Sequence, residues 1–130
     1  MSTLLLKNIA AAVTCDSEDR LLQQMDIYCA DGVIRDMGRG LDYSAQEVID
    51  CTGMLCYPGL INTHHHLYQC FSRNLPQVQN LELFDWLRAL YEIWKNLDET
   101  VVRFSSLTAM GEIMKHGCTT CFDHHCVFPQ

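Results

Sequence analysis

Positive charge is scarce in this chain of 130 residues, in which nine Lys and Arg stand against sixteen Asp and Glu and the net charge is −7. Proteins that bind nucleic acid or anionic membrane surfaces rely on a surplus of Lys and Arg. The chain also lacks an apolar run near the roughly 20 residues that span a bilayer. We therefore expect no nucleic-acid and no membrane partner, and the composition favours an enzyme that acts on a small molecule.

An export signal is also missing from the sequence, because the apolar N-terminal stretch has no basic leader, no long apolar core and no small-residue cleavage site. We expect a cytoplasmic protein. Its eight cysteines are then expected to be reduced thiols, since disulfides belong mainly to exported proteins. The apolar fraction of 48% is sufficient for a packed core.

Short β-strands are predicted throughout the first 57 residues, where short apolar runs alternate with turn residues. The predicted strands cover residues 4–9, 10–15, 25–30, 33–37, 47–51 and 54–57. Asp31-Gly32 stands between the third and fourth strands, and this dipeptide tolerates the positive φ angles of a tight hairpin turn.

The pattern changes after Pro58 to a strand, helices and another strand. The predicted elements are a strand over residues 60–66, a helical segment over 83–97, a helix over 99–115 and a strand over 119–125. Asp98 is predicted to cap the second helix and Gly117 to end it. Such an alternation indicates a β/α architecture with a parallel sheet. A complete eightfold barrel typically needs about 250 residues, so we expect this chain to be part of a longer one.

Two histidines at alternate positions of the strand after Pro58 are the strongest candidates for chemistry. Residues two apart in a strand project from the same side, with Cα atoms roughly 6.5 Å apart. His64 and His66 could therefore share one metal ion, whereas His65 should face the opposite way. Imidazole is a common ligand of zinc and other first-row metals. The alternative is that the three histidines only form a polar end of the strand.

The segment 58–66, Pro-Gly-Leu-Ile-Asn-Thr-His-His-His, resembles the first-strand signature of the amidohydrolase superfamily, Pro-Gly-apolar-apolar-Asn/Asp-x-His-x-His. Residues 31–34 and 48–53 also resemble the family's N-terminal β-sandwich. The resemblance implies an α/β fold, in which residues 1–57 form the β-sandwich portion and residues 58–130 form the first two β/α units of a (β/α)8 metal-dependent hydrolase barrel.

Within the superfamily, several segments resemble 8-oxoguanine deaminases, which stand near guanine deaminases and triazine hydrolases. These segments are residues 64–69, 83–87, 117–120 and 123–124. The implied reaction is hydrolytic deamination of an amino-substituted heterocycle, a purine such as 8-oxoguanine or guanine, with one divalent metal ion, for which zinc is the first choice. Alternatives are a pterin or cytosine deaminase, a triazine chlorohydrolase, or a non-catalytic fragment that binds a metal or a partner.

The resemblance also implies roles for residues inside and outside this chain. Gln69 lies three residues after the second candidate ligand, where purine deaminases use a Gln to contact the base, and its amide can donate and accept hydrogen bonds. Its alternative role is that of a surface amide. The remaining His, Asp and acid/base Glu residues would come from later strands. We therefore expect no activity from residues 1–130 alone. For the full-length enzyme we expect a homo-oligomer.

A second possible metal site lies near the end of the chain, where Cys118 and Cys121 precede His124. Strict alternation along a strand would place the two thiols on opposite faces. We therefore expect these cysteines to form neither a disulfide nor a zinc site. Asp123 and His124 are predicted to lie at the rim of the barrel, where Asp123 could line the pocket or bind the backbone of a loop.

Overall fold

The computed structural model describes residues 2–126. The chain divides into two compact units, of which the first ends at Pro58 and the second begins at Gly59.

One mixed β-sheet of five strands makes up the first unit. The strands are β1 (Thr3–Val13), β2 (Leu21–Ala30), β3 (Val33–Gly38), β4 (Glu47–Asp50) and β5 (Leu55–Cys56). The order is β3-β2-β1-β4, and β5 also pairs with β1. β1 runs antiparallel to β2 and parallel to both β4 and β5. A β-sandwich needs two facing sheets, and residues 2–58 form a single sheet.

The first strand corrects the prediction of two separate strands over residues 4–9 and 10–15. β1 is continuous, with an irregular register between Leu6 and Ile9, and Asn8 has a φ of 61° there. A carboxylate on the neighbouring strand holds this bulge. Asp26 accepts hydrogen bonds from the Asn8 amide and from Nζ of Lys7, both at 2.8 Å. The bulge therefore depends on a residue of another strand rather than on a local turn signal.

Asp26 is 4% exposed and carries a charge beneath the sheet surface. Burial acts to raise the pKa of this carboxyl, but the hydrogen bonds from Lys7, from the Asn8 amide and from the Leu41 amide, the last at 2.9 Å, outweigh it. The pKa consequently lies below its ordinary value. A buried charge with this many donors is stable as a carboxylate.

The hairpin between β2 and β3 confirms the prediction made from Asp31-Gly32. The two residues have φ angles of 52° and 75°, as a two-residue turn of the primed type requires. The main buried cluster of this unit consists of Ile9, Ala12, Ile27 and Cys51.

The second unit has the predicted order of strand, helices and strand. Its elements are β6 (Leu60–His65), α1 (Leu83–Trp94), α2 (Glu99–Lys115) and β7 (Cys118–Asp123), with two 3-10 helices, Leu67–Ser72 and Pro76–Val78, between β6 and α1. The 3-10 helices were not predicted. β6 and β7 pair in parallel. No helix within residues 2–126 is long and apolar enough to cross a membrane.

The ends of α2 follow the predicted signals. The side chain of Asp98 accepts a hydrogen bond from the Val101 amide at 2.7 Å, which satisfies one of the free amides at the helix start. Gly117 has a φ of 83°, and its carbonyl accepts a hydrogen bond from the Leu60 amide at 2.8 Å. The residue that ends α2 thus also starts the pairing of β6 with β7.

The buried core of the second unit joins the loop after β6 to α1. Its buried members are Tyr68, Val78, Leu90 and Trp94. The indole N–H of Trp94 donates to Oγ of Ser72 at 3.0 Å. The core therefore fixes the 3-10 helix that follows the three histidines.

Candidate metal centre

The imidazoles of His64 and His66 meet at the C-terminal end of β6. Their Nε2 atoms are 3.1 Å apart. Two nitrogens that share a tetrahedral zinc ion at about 2.0–2.1 Å each would be separated by about 3.4 Å. The observed spacing thus fits two ligands of one ion, as expected from their alternation along the strand.

The orientation and tautomer of the His66 ring are set by the residue that follows β7. Its Nδ1 lies 2.6 Å from the main-chain carbonyl oxygen of His124. A carbonyl only accepts hydrogen bonds, so Nδ1 must carry the proton and the Nε2 of the neutral ring presents its lone pair toward His64. Metal-binding histidines are usually held by such a hydrogen bond from their second ring nitrogen.

His65 is directed away from this pair. Its Nδ1 is buried and has no hydrogen-bond partner among residues 2–126. His65 lines a cavity with Ala109 of α2 and with Arg73, and Arg73 pairs with Glu112 of α2 at 2.8 Å. His65 therefore belongs to the helix-covered side of the sheet and is not placed to join the other two imidazoles.

In the described part of the chain, His64 and His66 have no third candidate ligand beside them. Residues 2–126 contain no group of three or more His, Cys, Asp or Glu side chains arranged to hold a metal. A catalytic zinc site usually has three protein ligands and an open position. As candidate ligands, His64 and His66 would therefore supply only part of such a set.

Gln69 lies in the first 3-10 helix, one turn beyond His66. It borders a cavity of about 250 Å³ whose lining includes the three histidines and, from α2, Ala109. Its Nε2 donates to the hydroxyl of Tyr68 at 3.1 Å. Burial raises the pKa of that hydroxyl, so Tyr68 stays a neutral phenol. The amide of Gln69 is thus tied to a buried tyrosine of the core.

Asp123 binds the backbone of a loop, which is one of the two roles predicted for it. Its Oδ1 accepts a hydrogen bond from the Leu67 amide at 2.9 Å, and its Oδ2 lies 3.2 Å from Nδ1 of His125. The carboxylate therefore secures the first residue of the 3-10 helix that carries Gln69. Sequence reasoning could not have assigned this contact, because it joins residues 56 positions apart.

The two cysteines of β7 lie on one face of the strand, whereas strict alternation predicted opposite faces. The register pairs Cys118 with Leu60 and Cys121 with Asn62, and it shifts between these pairs. Leu60 and Asn62 share a face of β6, so the two cysteines also share a face. Both are free thiols. Burial, followed by Asp123 and Cys118, raises the pKa of Cys121, which disfavours the thiolate that zinc requires.

Residues 55–127, more than half of the chain, match the amidohydrolase family. The chain belongs to this family, which confirms the resemblance of the segment 58–66. The hydroxydechloroatrazine ethylaminohydrolase of Pseudomonas sp. (strain ADP) is 38% identical over 136 residues, which cover 95% of this chain and 28% of that protein. The 8-oxoguanine deaminase of Pseudomonas aeruginosa is 41% identical over 80 residues, which cover 62% of this chain and 18% of that protein.

Solved structures give the same result for the fold. A triazine hydrolase from Arthrobacter aurescens superposes with a TM-score of 0.89 at 29% identity, over 100% of this chain and 30% of that one. An atrazine chlorohydrolase from Arthrobacter aurescens TC1, complexed with zinc, superposes with a TM-score of 0.88 at 30% identity, over 97% of this chain and 29% of that one. The chain spans less than a third of the length of these relatives.

Proposed function

We propose that this chain forms the N-terminal part of a metal-dependent hydrolytic deaminase that acts on an amino-substituted heterocycle, with a purine such as 8-oxoguanine or guanine as the first candidate. The observation that carries the proposal is the 3.1 Å separation of the Nε2 atoms of His64 and His66. Relatives whose names describe deamination of 8-oxoguanine, 5-methylthioadenosine or S-adenosylhomocysteine, and isoxanthopterin support the reaction class.

His64 and His66 are proposed to hold one divalent ion, with zinc as the first candidate. Imidazole nitrogens suit zinc, and the homologous atrazine chlorohydrolase is complexed with zinc. When bound, such an ion makes water acidic enough to serve as a nucleophile near neutral pH. The remaining ligands and the acid/base residue are proposed to lie on later strands of a (β/α)8 barrel. On this proposal residues 1–130 alone are inactive.

Within this chain, His64 and His66 are proposed to bind the metal and Gln69 to bind the substrate. His66, protonated at Nδ1, offers its Nε2 lone pair, and His64 offers a second nitrogen at the same point. Gln69 is proposed to bind the heterocycle, because its amide donates and accepts and because it borders a cavity that the three histidines also line. It has no useful pKa for proton transfer and therefore orients the substrate rather than reacting with it.

We further propose that the complete protein is a cytoplasmic homo-oligomer. Its partner would be a small heterocyclic substrate, with no nucleic acid and no membrane, in keeping with the net charge of −7. The residues 1–57 would then contribute one sheet to a β-sandwich that is completed by other parts of the chain.

A second candidate is dechlorination of a triazine. It is favoured by the TM-score of 0.88 and the 30% identity to the atrazine chlorohydrolase. The two reactions share attack by water on a ring carbon and differ in the leaving group, which is ammonia in one and chloride in the other. Pterin and cytosine deamination remain alternatives of the first class.

The test uses the protein expressed from the complete reading frame that contains residues 1–130. Metal would be removed with a chelator and zinc added back, while ammonia release from 8-oxoguanine, guanine, a pterin and cytosine is measured beside chloride release from a chlorotriazine. Zinc-dependent ammonia release is expected. Chloride release without ammonia would favour the second candidate, and tight zinc binding with neither product would favour a purely binding role.

Variants separate the metal ligands from the substrate contact. His64→Ala or His66→Ala should lower zinc affinity more than about 100-fold, beyond the usual effect of an outer-shell partner. His116→Ala, an exposed position at the end of α2, is the matched control. Gln69→Ala should mainly raise KM at unchanged zinc content, with the exposed Gln79→Ala as its control. Loss of zinc from the Gln69 variant would instead make that residue a structural support.

A further inference from the structure

We propose that His124 is a positioning residue that orients both imidazoles of the pair, His66 through its main chain and His64 through its ring. This inference rests on the proposed metal role of His64 and His66. It concerns the residue that follows β7, which is 58 positions away from His66 along the chain.

The main-chain part of the argument begins with the peptide of His124. Its amide donates to the carbonyl of His65 at 2.7 Å, and its carbonyl oxygen lies 2.6 Å from Nδ1 of His66. Residue 124 is therefore tied to the backbone between the two ligands and to the ring of one of them. The carbonyl selects the tautomer of His66 that leaves Nε2 free for an ion.

His64 is held in a different way. Among the hydrogen bonds of residues 2–126, its ring has one, the contact of Nε2 with His66. The χ2 angle of a histidine is otherwise broadly distributed, so some other contact must restrict this ring. The imidazole of His124 supplies it, with ring centroids 4.2 Å apart and an angle of 37° between the planes.

The ring of His124 has a second aromatic neighbour. Phe122 packs against it with ring centroids 4.8 Å apart and an angle of 59° between the planes. Phe122, His124 and His64 thus form a row of successive ring contacts near the ends of β7 and β6. A row of this kind limits the rotation of His64 without any hydrogen bond to its Nδ1.

His124 is not itself placed as a ligand. Its ring centroid is 5.7 Å from that of His66, and residues 2–126 contain no group of three side chains arranged to hold a metal. Its action on an ion would therefore pass through His64 and His66. Residues that orient metal ligands typically change metal affinity by 10–100-fold when they are removed.

The experiment is a Co²⁺ titration of the metal-free protein, expressed from its complete reading frame, followed by the visible absorption of the bound ion. We compare His124→Ala with His124→Phe, which keeps a flat ring but has no ring nitrogen. His116→Ala is the control. His124→Asn, which is too short to cover the His64 ring, replaces His124→Ala should that variant fail to fold, as judged by circular dichroism.

We expect His124→Ala to weaken Co²⁺ binding by about tenfold, the lower end of the range for an orienting residue, and to alter the visible spectrum. His124→Phe should restore most of the affinity and the parent spectrum. Unchanged affinity in His124→Ala would overturn the inference, as would a His124→Phe variant as weak as His124→Ala, because the imidazole nitrogen would then be the important group. A parent protein that binds no Co²⁺ and no Zn²⁺ would refute the proposed metal role instead.

Discussion

The Gly59→Ala substitution is expected to destabilise the second unit by forcing β6 away from β7. A Cβ atom added at Gly59 would lie 2.7 Å from Cβ of Thr119 and would overlap the hydroxyl and methyl groups of the same side chain. Real Cβ atoms essentially never approach other atoms within 3.0 Å. The strand that carries His64 and leads into His66 begins at the next residue.

The size of the effect follows from which atoms overlap. Rotation of the Thr119 side chain could move its hydroxyl and methyl groups, but its Cβ is fixed by the backbone of β7. Overpacking of this type typically costs about 1–3 kcal/mol, and because no rotamer removes the overlap we expect about 3 kcal/mol. The same clash should be relieved by Thr119→Gly, which removes every atom involved, so the double variant should recover about 2 kcal/mol of coupling energy.

Urea unfolding followed by tryptophan fluorescence is the appropriate assay, because the two tryptophans of the chain, Trp86 and Trp94, both belong to α1 of the second unit. Thr120→Gly, in the same strand and exposed, is the control and should not rescue Gly59→Ala. A Gly59→Ala variant within about 0.5 kcal/mol of the parent, the usual spread for harmless surface changes, would refute the reasoning.

Three further outcomes are expected. His65→Ala should reduce zinc affinity less than His64→Ala or His66→Ala, and equal losses in all three variants, measured by isothermal titration, would mean that His65 is also a ligand. The lowered pKa of Asp26 makes its stabilising contribution complete above the ordinary carboxyl pKa of about 3.9 and lost as pH falls through the folded-state value. Asp26→Asn should therefore remove that part of the loss of stability in acid, followed by far-UV circular dichroism. At neutral pH it should lower the free energy of unfolding by on the order of 3 kcal/mol. An acid transition unchanged by the substitution would argue against the role given to Asp26. The thiols of Cys118 and Cys121 should both react with a thiol reagent in the unfolded, unreduced protein. Two fewer reactive thiols than in the reduced protein would indicate a disulfide.

Features with a local cause could be predicted from the sequence. Asp31-Gly32 adopts the positive φ angles of the predicted hairpin, and Asp98 caps α2 through the amide of a residue three positions later. The facing of His64 and His66 also follows from the period of a strand. In each of these cases the interacting residues are neighbours in the sequence, so the pattern contains the information.

The predictions that were wrong involve residues far apart in the chain. The bulge that makes β1 one strand is held by Asp26, 18 positions from Asn8. The register shift that brings the two cysteines of β7 to one face arises from pairing with β6. The 3-10 helix that carries Gln69 begins at an amide bound by Asp123. Nothing in the local sequence specifies these contacts.

The hydrogen bonds between the end of β7 and the residues after His64 have a consequence for folding kinetics. His66 and Leu67 find their partners 58 and 56 positions away, so forming the pair requires closure of a loop that contains both helices. The entropy of such a closure is lost before the contacts form, and long-range pairing of this kind slows folding. A nascent chain that has reached only α2 therefore already contains both imidazoles, but they become an organised pair only when β7 docks.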